Sequence, residues 1–248
     1  MSSFCFPASF LLPYDAIRKA KNTTCSVVVV AAGSSARMGE DKLFMDLCGK
    51  PVLEHTLRAL SYCGFVEEIV LVTREEILEK AAELCHNNRF EKVTKVVIGG
   101  KNRNESALAG LSEIRRDAKL VLIHDGARPL VTEELVQDVM HTAALFKCAA
   151  PAVPLNDTVK ETEGESVIRT LDRSRLAAVQ TPQAFVPEII KAALTLAVKN
   201  GKEYTDDCAA VEAMGIPVRL SAGSQENIKI TRPLDIQTAA AILRSRGK

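Results

Sequence analysis

The tightest constraint on this chain is the run Cys-Ser-Val-Val-Val-Val-Ala-Ala at positions 25–32, which stops at Gly33-Ser34-Ser35. Consecutive β-branched side chains crowd a helix but fit a pleated strand. Neighbouring strand residues point to opposite faces, so a run this apolar must be covered on both. Strands of that kind belong to mainly parallel sheets flanked by helices. The following chain keeps the alternation that such a fold needs. Strand-like runs at 68–73, 93–98 and 120–124 are interleaved with helical periodicity at 51–62, 75–85, 106–114 and 132–146. In the first of these helices the stripe passes through Val52, Leu53, Thr56, Leu57 and Leu60, with Pro51 suited to the first turn.

The pattern changes after 148–153. Residues 154–178 are polar, with β-compatible pieces at 158–161 and 167–171 around Glu163-Gly164-Glu165. This reads as a hairpin arm with little core of its own, which needs a partner surface, most simply a second copy of the chain. Core-like sequence then resumes, with helices at 187–200 and 206–214, strands near 218–221 and 227–230, and a closing helix at 233–246. A chain of 248 residues accommodates one sizeable domain, taken as 22–248, behind an N-terminal extension, 1–21. The extension is apolar in part, but Pro7 and Pro13 interrupt it and no basic residues precede the apolar stretch, so it does not read as a signal peptide. No apolar stretch attains the roughly 20 residues of a membrane span.

Lys plus Arg number 32 against 31 Asp plus Glu, so no global field draws the chain to nucleic acid or to an acidic membrane. Any anion site must come from local clustering. The seven cysteines are scattered without CxxC or Cys/His spacing, as in a cytoplasmic protein with reduced thiols.

Ligands of open α/β sheets bind at the carboxyl ends of the strands, and the chemically suggestive residues fall there. Ala31-Ala32-Gly33-Ser34-Ser35-Ala36-Arg37-Met38-Gly39 follows the first strand, with Lys42 just beyond. Small residues let backbone N–H groups approach a triphosphate while Arg37 and Lys42 supply charge. Neither the GxxxxGK[ST] nor the GxGxxG spacing is present. Gly99-Gly100 ends the third strand ahead of Arg103 and Ser106, an arrangement suited to a flat base or a phosphate, or one in which Ser106 merely caps a helix. The fourth strand ends in His124-Asp125-Gly126-Ala127-Arg128-Pro129. Two readings fit it: Asp125 holding a divalent cation with Arg128 clamping a phosphate, or an internal Asp–Arg pair. His124 should face the other way and be structural. Lys229 interrupts the apolar 227–230, where either a phosphate partner or a solvent-reaching side chain resolves the cost of its charge. Phosphate binders dominate and no nucleophile–base set is evident, which fits transfer to an acceptor that is itself the nucleophile.

Taken together, AAGSSARMG with Lys42, GGKNRNES, HDGARP, NDT at 156–158, LDR at 171–173, TPQAF at 181–185, TDD at 205–207 and NIKIT at 227–231 resemble the 2-C-methyl-D-erythritol 4-phosphate cytidylyltransferase family, in order, from residue 25 to the C-terminus. The resemblance implies a Rossmann-like nucleotidyltransferase fold, a mostly parallel sheet flanked by helices with a projecting β-arm at 154–178. It also implies a homodimer formed through that arm, and transfer of the cytidylyl group of CTP to 2-C-methyl-D-erythritol 4-phosphate with Mg²⁺. By motif position, Arg37, Lys42 and Lys229 are the catalytic cations. Ala31, Ala32, Gly33, Gly100, Arg103 and Ser106 bind CTP. Asp125, Arg128, Thr158 and Arg173 hold the acceptor, Asp125 also taking the metal, and Thr158 and Arg173 arriving on the partner's arm. Three departures stand out: the usual Pro-Lys-Gln is Asp41-Lys42-Leu43 after a shortened loop, Lys101 replaces a frequent acidic residue, and HDGARP replaces HDAARP. A cytidylyltransferase for another polyol phosphate, such as ribitol 5-phosphate, shares most of these motifs, and the arm is where the two should differ. A non-catalytic nucleotide-binding module is the rival of another class; joint retention of Arg37, Lys42, Asp125 and Lys229 speaks against it.

Overall fold

The computed structural model describes residues 23–33 and 41–247. The expected extension 1–21 lies outside the described residues, as does 34–40, with Arg37 in it. Numbering elements in chain order, the constraining run forms β1 (Cys25–Ala31) at the centre of the main sheet. It pairs in parallel with β4 (Val66–Thr73) on one side and with β6 (Val121–Asp125) on the other. Beyond β4 lies β5 (Val93–Ile98), also parallel.

Past β6 the sheet becomes mixed. The short strand β11 (Gln183–Phe185) runs antiparallel between β6 and β7 (Cys148–Pro154). β10 (Ala177–Val179) pairs with the other end of β7, and β12 (Arg219–Ala222) takes β7's opposite edge in parallel. Between β10 and β11 the chain breaks at Gln180-Thr181-Pro182, with a cis bond at Thr181–Pro182. That break turns polar side chains toward the ends of the parallel strands.

Strand periodicity divides the interior in two. Val27 and Val29 pack into a core under α1 (Val52–Tyr62), α2 (Leu78–Asn87), α4 (Glu133–Phe146) and α7 (Pro233–Ser245). Val28 faces the other core, under α3 (Arg103–Glu113), α5 (Pro187–Lys199) and α6 (Asp207–Glu212). Gly110 lets α3 nest on the strands, since a Cβ there would come within 2.6 Å of a Val72 methyl. Among the described residues no helix is long and apolar enough to cross a membrane.

Several sequence expectations need correction. Pro51 is not in the first turn of α1; it ends a small hairpin, β2 (Asp46–Leu47) and β3 (Lys50–Pro51), turned by Cys48 and Gly49 at φ of 53° and 81°. The helix expected from 106 begins at Arg103, because the Asn102 side chain accepts the Glu105 N–H at 2.9 Å and caps it there. Ser106 is therefore not the cap. The segment 227–230 is not a strand. Its polar backbone is satisfied by a loop and a side chain instead of a ladder: Ile230 N–H donates to the Ala127 carbonyl at 2.8 Å, and Arg128 Nη1 donates to the Asn227 carbonyl at 2.6 Å. The arm does form a hairpin, β8 (Lys160–Glu163) and β9 (Ser166–Thr170), turned at Gly164. Every residue of both strands is exposed, Val167 at 59% and Ile168 at 56% included.

Candidate active site

The carboxyl ends of β1, β5 and β6 open on a cleft of about 210 Å³. Ala31, Ala32 and Gly33 line it from β1 and the turn that follows, and Gly100 from the end of β5. Arg103 and Ser106 line it from α3, Asp125 from β6, and Lys42 and Lys229 from two flanking segments. Nine of the residues singled out from the sequence thus share one cavity although they are drawn from separate parts of the chain.

Asp125 is the electrostatic centre. Lys229 Nζ lies 2.9 Å from its Oδ2, Arg128 Nε 3.5 Å from the same oxygen, and Arg103 Nη2 3.6 Å from Oδ1. Burial works against its charge, yet Lys229, Arg103 and Arg128 together hold the Asp125 carboxyl well below the usual carboxylate range. Arg103 also pairs with Asp207 Oδ2 at 2.7 Å, and Asp207 is fully buried. Burial pushes the Asp207 carboxyl up, opposed by Arg103, while the two acidic neighbours keep the Arg103 guanidinium firmly charged. Lys229, Arg103 and Arg128 thus converge on Asp125, with Asp207 braced against Arg103, and Lys42 lines the same cleft. The Asp125–Arg128 pair foreseen as one of two readings is present, with Arg128 anchored behind Asp125 and absent from the cleft lining.

The base of the cleft is held by His124, read from the sequence as structural, and by residues to which the sequence assigned no role. Asp125 N–H donates to Thr181 Oγ1 at 3.1 Å, and Thr181 O–H donates to His124 Nδ1 at 3.0 Å. His124 Nε2–H then donates to the Arg128 carbonyl at 3.3 Å, which requires the neutral Nε2–H tautomer. Burial pushes His124 down to about 4, in keeping with that neutral form and with a structural role. Asn227 Nδ2 donates to the Thr181 carbonyl at 2.9 Å. Gln183 Oε1 accepts the Asp207 and Cys208 N–H groups at 3.1 and 3.0 Å, presenting Asp207 to Arg103. TPQ and TDD stood out in the sequence, but only the fold reveals that they serve Asp125 and Arg103.

At the other end of the cleft the backbone passes close over Ala32. A Cβ on Gly99 would lie 2.6 Å from Ser106 Oγ and 2.8 Å from the Ala32 methyl, so glycine alone fits. Ser106 Oγ accepts the Gly100 N–H at 3.2 Å and donates to the Asn102 carbonyl at 2.8 Å, shaping this slot. Thr158 and Arg173 are not brought to their own chain's cleft. Both are exposed at the arm, where Arg173 Nη1 donates to the Asn156 carbonyl. Among the described residues no cluster of three or more His, Cys, Asp or Glu is placed to hold a metal unaided.

A family profile described as 2-C-methyl-D-erythritol 4-phosphate cytidylyltransferase matches residues 25–245. Curated relatives with that name from Halalkalibacterium halodurans and Caldanaerobacter subterraneus subsp. tengcongensis are 43% and 40% identical, over 90% and 88% of this chain and 98% of each relative. Among solved structures, a 4-diphosphocytidyl-2C-methyl-D-erythritol synthase from Anaerococcus prevotii superposes with a TM-score of 0.80 at 30% identity, covering 92% of this chain and 99% of its own. A 2-C-methyl-D-erythritol 4-phosphate cytidylyltransferase from Thermus thermophilus gives 0.75 at 31% identity, covering 90% and 100%.

Proposed function

Since this chain belongs to the 2-C-methyl-D-erythritol 4-phosphate cytidylyltransferase family, we propose how its cleft divides the work of that family's reaction. The enzyme transfers the cytidylyl group of CTP to 2-C-methyl-D-erythritol 4-phosphate, giving 4-CDP-2-C-methyl-D-erythritol and pyrophosphate in isoprenoid biosynthesis. The observation that carries the division of labour is the cationic cluster around Asp125, set beside the glycine slot at Gly99-Gly100.

The backbone of Ala31, Ala32 and Gly33, with Gly100 and Ser106, reads the cytosine, and Arg103 holds the triphosphate. Arg37, from its place in the loop sequence, and Lys42 and Lys229 stabilise the charge that grows on the α-phosphate during in-line attack. Lys229 is the most exposed member of the cluster, at 38% of its side chain, so it has room to exchange Asp125 for a phosphate oxygen. Asp125 faces the acceptor, Arg128 adds charge to that contact from behind it, and Thr158 and Arg173 reach the acceptor from a partner's arm. The acceptor phosphate has a second pKa of about 6 and is mostly dianionic at neutral pH, so no general base is needed. What must be overcome is the repulsion of two anions.

Mg²⁺ fits this donor set. Asp125 is a carboxylate kept ionised at the cleft, and Mg²⁺ binds through one or two carboxylates together with substrate phosphates. Bound there it would neutralise phosphate charge. The reading takes 22–248 as one catalytic domain and 154–178 as the arm of a homodimer, supported by the arm's exposed Val167 and Ile168. It excludes nucleic-acid and membrane partners on the balanced charge, and places the enzyme in the cytoplasm, consistent with six free cysteines among the described residues.

Lys42→Ala tests the central role. Loss of one preorganised cation should lower kcat by about 10²–10³-fold, or ~3–4 kcal/mol, with CTP affinity nearly preserved. Pyrophosphate release and calorimetric titration of CTP read the two quantities. Unchanged turnover would remove Lys42 from the mechanism.

A further inference from the structure

Arg74 has no part in the roles above, yet it contacts Gly33 and Asp41, the described residues that flank 34–40 as its two stems just before Lys42. It is the first residue after β4, whose last residue, Thr73, lies in register with Ala31 at the end of β1. This register delivers its guanidinium to the end of the first strand, beside Ala32 and Gly33. Arg74 Nη1 donates to the Gly33 carbonyl at 3.4 Å, on the N-terminal stem, and Nη2 donates to Asp41 Oδ2 at 2.5 Å, on the C-terminal stem. Nε faces Glu76 Oε2 at 3.5 Å. The side chains of Arg74 and Asp41 are only 24% and 19% exposed, so water competes little for the pair.

Asp41 passes this constraint along the chain. Its Oδ1 accepts the Leu43 N–H at 3.2 Å and its carbonyl accepts the Phe44 N–H at 2.9 Å, closing a turn around Lys42. Leu43 is buried in the core, and its carbonyl accepts the Leu53 N–H at 2.9 Å at the start of α1. Lys42 therefore sits between one residue held by Arg74 and one anchored in the core, and its side chain lines the cleft. A lysine has four rotatable side-chain bonds, so the direction of its backbone decides where its ammonium spends its time.

We propose that Arg74, through Asp41 and Gly33, is a positioning residue that aims Lys42 at the reacting phosphate. This rests on the reading of Lys42 given above. The guanidinium is committed to the stems and does not line the cleft, so it acts through Lys42 and not on the nucleotide.

A kinetic cycle on the full-length enzyme tests this. R74Q and D41N should each lower kcat about tenfold while changing the CTP KM little, since misplacing a catalytic group by about 1 Å costs on that order or more. In a K42A background R74Q should lower kcat no further, whereas a purely structural role would cost the same in both backgrounds. Wild-type turnover in R74Q, or an equal loss with and without Lys42, would overturn the proposal. If R74Q does not fold, D41N and D41N/K42A read the same contact. K42A with wild-type turnover would bring down the role of Lys42 itself, a result distinguishable from a failure of the clamp alone.

Discussion

Two neighbouring residues of β6 are driven to opposite protonation behaviour by opposite surroundings. Asp125 faces three cations and stays ionised; His124 faces the interior and stays neutral. The imidazole sets a pH window for stability. Its ordinary value is 6.5 and burial brings it down to about 4. Between those values the unfolded chain takes up a proton that the folded chain refuses, so stability falls as the pH drops through the window. By proton linkage the fall should be about 3 kcal/mol across it, levelling off below. Asp125 acts later, its contribution being present above the ordinary 3.8 and lost as the pH falls below it. Urea unfolding at pH 7 and pH 4.5 should show a stability loss in the wild type about 2–3 kcal/mol greater than in H124Q. Equal losses would mean that His124 is not the group refusing the proton. At this scale the sequence was legible wherever a residue lines the cleft: Lys42, Gly100, Arg103, Ser106, Asp125 and Lys229 could be picked out by residue type and position at strand ends. Asp207, Thr181 and Asn227 could not be given roles, because they act on other residues across long separations. Thr181 meets Asp125 from 56 positions away.

Elements were readable where an apolar face of sufficient length marked them. The buried strands and the helices α1, α4, α5 and α7 all announce themselves by period. Their boundaries depend on caps, which periodicity does not register: α3 starts three residues early because Asn102 caps a polar first turn, Arg103–Glu105. The hairpin β2–β3 is too short to have a period. Conversely, Ile228 and Ile230 alternate as a strand would, but the partners in space are the loop at Ala127 and the Arg128 side chain. The six-residue helix α6 is the element most dependent on its cap. Asp206 accepts the Ala209 N–H at 2.9 Å and the Gln183 Nε2–H at 2.7 Å, and its neighbour Asp207 holds Arg103. D206A should therefore cost about 1–2 kcal/mol in chemical denaturation. It should also raise the CTP KM a few-fold, because Arg103 loses the fixed position of its carboxylate partner. A stability loss with CTP KM unchanged would separate the helix cap from the role proposed for Arg103.

Over the whole molecule the decisive question is which chain supplies the arm. The strands β8 and β9 bury none of their own surface to speak of, and a two-stranded hairpin is marginal without something to pack on. Thr158 and Arg173 are exposed there and absent from their own cleft. If the arm crosses to a second copy, each active site takes its cations from one protomer and its acceptor contacts from the other. Two damaged enzymes can then repair each other. K42A spoils a cleft and leaves its arm intact; R173A spoils an arm and leaves its cleft intact. Unfolded together and refolded as a mixture, half the dimers should be mixed, and each mixed dimer should hold one site with a sound Lys42 and a sound Arg173. With twofold symmetric exchange the mixture should recover about a quarter of wild-type pyrophosphate release, far above either variant alone. An arm that serves its own cleft forbids this: every site in a mixed dimer would then lack one of the two residues. Activity no higher than the average of the separate variants would assign Arg173 to its own chain and leave the arm's exposed face to some other contact.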